Sequence, residues 1–369
     1  MMTGLDPHGH AIPRNGFPLT EEHTTVAEVL SSAGYDTIGA VSASVIGADM
    51  GMAQGFRLFH DDLSVDKDKR FEARGADTTD ATLALVDQAE PDKPLFIWVH
   101  YYDAHNPYEA PAEYEARFVT EDGSEWGKPK KAMANIAKGF RDGRTTASDE
   151  LWFRQMYQAE VAYQDDQMAR LLDGLEARGV LDDASIVITA DHGDAFFEDR
   201  HAPVGHGAEI DLPLTRVPLI VVPRSGETGV VEDLVRLSDL GPTLLGLAGQ
   251  PPELGGGRDL SPGWTGGELA ETTVYMEATK PARAIETAWN NAHTEHGVAT
   301  AKGVLIRSRT SRVDRLYALD EAQTRVEIPE LEQKLARELT AWEDAAPPYR
   351  DVEMSGDVVD ALKALGYME

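Results

Sequence analysis

Residues 185–209, SIVITADHGDAFFEDRHAPVGHGAE, decide how this chain is read. Residues 185–189 are an apolar, β-branched run that reads as a buried strand, and the run breaks at once into Asp191-His192-Gly193. An acid beside an imidazole at a strand's end, with no polar lead-in, is costly to bury unless the two hold a metal or a substrate. Gly193 allows a tight turn that presents both side chains to one point. Farther on, Gly205-His206-Gly207 sets a second imidazole between two residues without side chains, where a ligand can approach the backbone. That is the layout of an active-site loop. The plainer reading makes Asp191 a cap and His206 a surface residue. It carries less weight here because ligands of α/β sheets gather beyond strand ends.

The same texture recurs upstream. Residues 95–100, LFIWVH, read as a second buried strand, and Tyr101-Tyr102-Asp103-Ala104-His105-Asn106-Pro107 follows directly. Pro107 turns the chain out of regular structure, so this is another polar loop at a strand's end. His105 and Asp191 can therefore share one site, with Tyr102 and Asp103 lining it. Residues 36–42 and 217–222 read as further strands, and 24–33, 77–89, 151–178 and 237–248 as helices. The alternation predicts an α/β fold, a mostly parallel sheet sandwiched by helices. Residues 3–19 and 47–75 read as loop, and 112–150 as a weakly patterned insertion over the site. From residue 268 the texture changes to short strands at 273–276, 303–307 and 315–319, then helices at 328–342 and 357–365. The expectation is a domain of residues 1–267 and a smaller C-terminal antiparallel sheet plus helix over 268–369. His8 and His10 are expected to shape the first loop, and His100 to be a buried, hydrogen-bonded core residue. Ser42 and Ser44 carry no strong signal.

The chain has 369 residues, 42% of them apolar, and a net charge of −30. Such a surface repels nucleic acid and anionic membranes, so both are excluded as partners. Any anion site needs a local positive device: a metal, a protonated histidine or an arginine. The absence of cysteine removes disulfides and a thiolate nucleophile. No run approaches the roughly 20 apolar residues of a membrane span. The opening MMTGL has neither the charged nor the apolar region of a signal peptide, and the sequence leaves location and oligomeric state open.

Residues 157–194, YQAEVAYQDDQMARLLDGLEARGVLDDASIVITADHGD, closely resemble the metal-site region of sulfatases in the alkaline-phosphatase-like superfamily. LFIWVHYYDAHNPYEAP, VRLSDLGPTLLGLAG, RLYALDE and ALKALGY resemble other landmarks of that family in the same order, and TGLDPHGHAIPRNG looks like the segment after its nucleophile motif. The resemblance implies that Asp191 and His192 are a metal pair and that His105 contacts the sulfate or phosphate group. His206 falls where many members carry a lysine that assists the leaving oxygen. It implies a divalent metal, Ca²⁺ first, with Mn²⁺ or Zn²⁺ also compatible with His192. Imidazolium groups would then offset charge or protonate the departing alkoxide.

The departures matter as much. The family's first strand carries an Asp-Asp pair, followed by Cys/Ser-x-Pro-Ser-Arg, whose first residue becomes the formylglycine nucleophile. Neither occurs here, and the sequence opens where that segment would end. The expectation is an N-terminally truncated sulfatase-like chain whose half-site binds metal weakly, and whose sheet has two unpaired edges where a central strand is missing. The implied function is hydrolysis of a small-molecule or sugar sulfate monoester, impaired as the sequence stands. The alternatives are a pseudoenzyme that binds a sulfated ligand and a metal-dependent phosphate or phosphonate ester hydrolase.

Overall fold

In the computed structural model, residues 1–63, 71–198, 203–207, 209–279, 294–308, 313–320, 323–347 and 354–365 are described. The stretch read as opening loop contains one helical turn, α1 (Pro7–His10), where the Asp6 carboxylate accepts the Gly9 N–H at 2.7 Å. α2 (Val26–Ser32) starts on a capping box: the Thr25 hydroxyl accepts the Glu28 N–H at 3.2 Å and the Glu28 carboxylate accepts the Thr25 N–H at 2.8 Å. β1 (Asp36–Val41), β2 (Leu58–His60), α3 (Gly75–Val86) and β3 (Leu95–His100) follow, and the strands form a parallel sheet in the order β2-β1-β3. β2 lies in a stretch read as loop; three residues are too few for a two-residue alternation to show.

α4 (Ala112–Phe118), α5 (Pro129–Arg141) and the long α6 (Ala147–Glu176) come next. The residues read as an unpatterned insertion thus carry two helices, and Trp126 and Ile136 join Tyr108, Trp152, Phe153 and Phe196 in a core of their own. Both faces of the parallel sheet are covered. Ile38, Ile97 and Val99 pack with Val86 of α3 and with Leu171 and Leu175 of α6. Phe96, one residue out of phase, packs with Val26 and Leu30 of α2 and with Leu245 of a later helix. Burying a Leu or Ile side chain of this kind contributes roughly 1.5–3 kcal/mol.

β4 (Ile186–Thr189), β5 (Ala195–Phe196), β6 (Val204–Gly205), α7 (Leu212–Thr215), β7 (Leu219–Val222) and α8 (Leu240–Leu247) complete this part. β4 pairs antiparallel with β7, Ile186 opposite Val222. The connection holds a short hairpin and a four-residue helix rather than the crossover helix that a parallel return requires. β3 and β4 each keep one edge without a ladder partner among the described residues. The cost shows in exposure: β1 is buried at all six positions, whereas apolar β3 and β4 are half-buried throughout, and Ile220 and Val222 are 52% and 49% exposed.

β8 (Val274–Thr279), β9 (Thr294–Thr300), β10 (Gly303–Ser308) and β11 (Val313–Tyr317) form an antiparallel sheet in the order β11-β10-β9-β8, followed by α9 (Pro329–Asp344) and α10 (Gly356–Ala364). β9 was not expected from its sequence, TEHGVAT. Its His296 is fully buried, with Nδ1 2.6 Å from a Glu343 carboxylate oxygen on α9, so a charged partner replaces apolar character. The first residues dock here too: Trp342 Nε1 donates to Asp6 at 3.0 Å, and His8 stacks on Trp342 at 3.5 Å. Among the described residues no helix is long and apolar enough to cross a membrane.

Candidate functional site

The loops after β3 and β4 meet. Tyr102 stacks on His105 with ring centroids 4.2 Å apart, His105 lies 4.9 Å from His206, and His206 lies 4.1 Å from His192. The expected residues His105, His192 and His206 are therefore brought together, with Asp191 beside His192. Gly205 and Gly207 have φ of 83° and 85°, a left-handed backbone on both sides of His206 that glycine adopts without strain. Gly193 serves differently from the tight turn expected. Its φ is not positive, and a Cβ there would sit 2.0 Å from the Pro213 carbonyl oxygen, so close approach of α7 requires the glycine. Its N–H donates to the Leu214 carbonyl at 2.9 Å.

The side chains of Asp191 and His192 are 51% and 39% exposed. Asp191 accepts the His192 N–H at 2.9 Å. The protein packed around the Asp191 carboxyl would raise it despite that exposure, but His192 and His100 more than offset this and hold it below the usual carboxylate range. Asp194 takes a role that its place in the sequence did not mark. Its Oδ1 lies 2.7 Å from His206 Nδ1, and the Tyr108 hydroxyl donates to its Oδ2 at 2.6 Å. These bonds outweigh burial and keep the carboxyl low, whereas burial and the Asp194 charge push the Tyr108 hydroxyl well up.

His105 differs from the imidazolium expected. Burial, then the neighbouring His206, drives it down to about 4, so it is neutral at pH 7. Its Nδ1 lies 2.6 Å from the Asn106 carbonyl, which places the ring proton on Nδ1 and leaves Nε2 a lone pair. An anion arriving at Nε2 would favour protonation there.

Asp103 is buried; it accepts the Gly75 N–H at 2.9 Å, and burial raises its carboxyl. His100 was expected to be hydrogen-bonded, but its Nδ1 is sealed from solvent without a hydrogen-bond partner among the described residues. Ser42 is structural: its hydroxyl lies 2.7 Å from that of Thr78 and donates to the His100 carbonyl. His8 belongs to the C-terminal docking contact, and His10, driven to about 4 by burial, accepts the Ile12 N–H. Tyr108 was not singled out in the sequence, and neither was Arg74, which lines a cavity beside His105. A tyrosine next to Pro107 and an arginine ahead of a helix carry no local mark of function.

The residues present do not fit a divalent cation by themselves. Ca²⁺ takes about 6–8 oxygen ligands and Mg²⁺ a near-octahedral set. Asp191 and His192 supply two donors, Asp194 is engaged by His206 and Tyr108, and among the described residues no group of three or more His, Cys, Asp or Glu is placed to hold a metal.

The Sulfatase family model matches residues 1–250. Related sequences include the uncharacterized sulfatase YidJ of Escherichia coli (strain K12), 28% identical over 178 residues, 46% of this chain and 35% of that protein. The multifunctional alkaline phosphatase superfamily protein PehA of Trinickia caryophylli is 25% identical over 338 residues, 71% of this chain and 65% of that protein. Human iduronate 2-sulfatase is 27% identical over 220 residues, 47% and 39% of the two chains. The chain thus spans between about a third and two thirds of the length of these relatives. Among solved structures, a phosphonate monoester hydrolase from Silicibacter pomeroyi superposes with a TM-score of 0.69 at 19% identity, covering 94% of this chain and 85% of that one. BT4656, solved with its substrate D-glucosamine-2-N,6-O-disulfate, gives 0.68 at 16% identity, covering 95% and 88%. At such identity the structures speak for the fold, a helix-flanked parallel sheet joined to a smaller antiparallel one. With the family match running through both strand-end loops that carry the imidazoles, the chain belongs to the Sulfatase family.

Proposed function

We propose that this chain carries the anion-binding half of an ester hydrolase site for sulfate monoesters, with phosphate and phosphonate monoesters as the neighbouring class. The observation that supports this most is the meeting of His105, His192 and His206 at the ends of β3 and β4. In a chain of net charge −30 an anion needs a local device of this kind, where ring N–H groups converge on one point. His105 is neutral in the free protein, and a sulfate oxygen arriving at Nε2 would favour its protonation there. His206, held by Asp194 through Nδ1, presents Nε2 as the group that would protonate a departing alkoxide. The sequence holds neither the Asp-Asp pair nor the formylglycine motif, so little or no turnover is expected of these 369 residues alone. β3 and β4 each keep an edge without a ladder partner among the described residues, to which a further strand could pair. The half-site also supports the second reading, a protein that binds a sulfated ligand without cleaving it.

Titrating inorganic sulfate while following the histidine side-chain resonances tests the anion site. Shifts of His105 and His206 that vanish in His105→Ala are expected, and resonances indifferent to sulfate would sink the reading. Turnover of 4-nitrophenyl sulfate that Asp191→Ala abolishes would instead overturn the expectation of inactivity.

A further inference from the structure

The short helix α7 is held from two directions, and both holds bear on the imidazoles. Towards the site, the Leu214 carbonyl accepts the Gly193 N–H at 2.9 Å, and the Pro213 carbonyl leaves no room for a side chain at position 193. Gly193 in turn orients its neighbour. His192 Nδ1 lies 2.9 Å from the Gly193 carbonyl oxygen, and because a carbonyl only accepts, Nδ1 carries the proton of that bond. The plane of the His192 ring therefore follows the Gly193 peptide, and that peptide follows α7.

The other hold comes from the antiparallel sheet. Ile210, just ahead of the N-cap Asp211, is buried and packs with Ala278 of β8, Ala299 of β9 and Ile306 of β10. Its N–H donates to Glu295 of β9 at 3.2 Å, and a Cβ on Gly297 would come within 2.6 Å of its side chain. Gln323, in the turn after β11, completes the hold: its carboxamide oxygen accepts the Leu212 N–H at 2.9 Å, and its Nε2 donates to the Asp211 carboxylate at 3.2 Å. The Leu212 N–H is a first-turn donor that a helix cannot satisfy within itself. Pro213 has no such donor, and the N–H groups of Leu214 and Thr215 go to the Asp211 carbonyl at 2.9 and 3.1 Å.

Gln323 makes these bonds at a backbone cost. Its φ is 46°, in the left-handed region that glycine enters freely and residues with a Cβ enter with strain. A turn alone would be served better by glycine. What glycine lacks is the carboxamide, and both of its ends are used on the first two residues of α7.

We infer that Gln323 is a positioning residue: from the antiparallel sheet it fixes α7, and through α7 and the Gly193 peptide it sets the orientation of the His192 ring in the anion site. The inference rests on the anion site proposed above. The line of contact from Gln323 through Leu212, Leu214 and Gly193 to His192 has no gap, so the far sheet takes part in aligning the imidazoles.

The test is Gln323→Gly in the full chain, with inorganic sulfate as the probe and three readouts: sulfate affinity by calorimetry, the ring-nitrogen resonances of His192, and the thermal midpoint. Glycine relieves the left-handed backbone and so offsets the two lost hydrogen bonds, and the midpoint is expected to stay close to the parent's. The His192 nitrogens are expected to shift as the bond from Nδ1 loosens, and sulfate to bind about tenfold more weakly, the equivalent of one hydrogen bond. Affinity and resonances equal to the parent's overturn the inference and leave the anion site standing. A change in only one of the two also overturns it, because ring and site are then uncoupled. A fall in the midpoint that accompanies the weaker binding overturns it as well, because the role is then structural. No sulfate binding by the parent overturns the anion site and this inference with it.

Discussion

The Asp194 carboxylate holds His206 by Nδ1 at 2.7 Å, and the Tyr108 hydroxyl fixes the same carboxylate from the other side at 2.6 Å. This fixes which nitrogen of His206 is left for chemistry. With Nδ1 engaged, Nε2 is the atom presented to the neighbouring rings. Both oxygens of Asp194 are thereby engaged, one by His206 and one by Tyr108. The sequence DHGD thus splits its two acids: Asp191 stands half-exposed beside His192, and Asp194 supports the third imidazole.

Removing that support should cost stability as well as orientation. Asp194→Ala leaves a buried Tyr108 hydroxyl unpaired, with an expected loss of about 1–3 kcal/mol in urea unfolding at pH 7. The Asp194 carboxyl sits below the ordinary carboxylate range. Its contribution is therefore present above about pH 4 and disappears as pH falls through the lower folded value. The deficit of the variant should shrink in strong acid. An equal deficit at pH 7 and pH 2 would contradict the account.

His10 and His105 have the opposite consequence for pH. Burial drives both to about 4, against an ordinary value near 6.5. The unfolded chain binds these protons first, so stability falls as pH drops from about 6.5 towards 4. Between pH 7 and pH 5 the loss should be on the order of 2 kcal/mol per group, and His10→Gln with His105→Gln should flatten the profile. Denaturation midpoints at the two pH values read this directly. A double variant with the parent's slope would show that other groups carry the effect.

Gly193 and Gly229 make a matched pair. A Cβ on Gly193 meets the Pro213 carbonyl at 2.0 Å, whereas nothing lies within 4 Å of one on Gly229. Gly193→Ala should lose about 1–3 kcal/mol through forced backbone displacement. Gly229→Ala should stay within about 0.5 kcal/mol of the parent. Thermal unfolding of both, compared side by side, would reveal an error if the order were reversed.

The open ribbon of β4 and β7 predicts self-association. Ile220 and Val222 are half-exposed on a strand next to another whose outer edge has no ladder partner among the described residues. Such edges template pairing with other chains. Ile220→Lys with Val222→Lys should raise the concentration at which light scattering begins and leave thermal stability nearly unchanged. Scattering that begins at the parent concentration would locate the association surface elsewhere.

Much of this protein was legible along the chain because its signals are local. LFIWVH and IVIT are apolar on both faces, and such runs are strands wherever a sheet is covered by helices. Polar loops placed directly at their ends, DAHNP and DHGD, announce a site because acids and imidazoles do not follow buried strands without cause. The order of the family's motifs adds register to that reading. β9 was not legible, since its buried His296 is tolerated only through Glu343, forty-seven residues later.

The sequence by itself determined the α/β class, the strands that carry the site, and the identity of His105, Asp191, His192 and His206 as its candidates. The tertiary structure alone decided that Asp194 serves His206, that His105 is neutral, that Gly193 answers to Pro213, and that Arg74 and the end of α10 stand beside the imidazoles. The physical reason is range. Periodicity and capping act over a few residues and can be read in order, whereas burial, partner choice and the protonation they impose come from groups that only folding brings within a few ångströms.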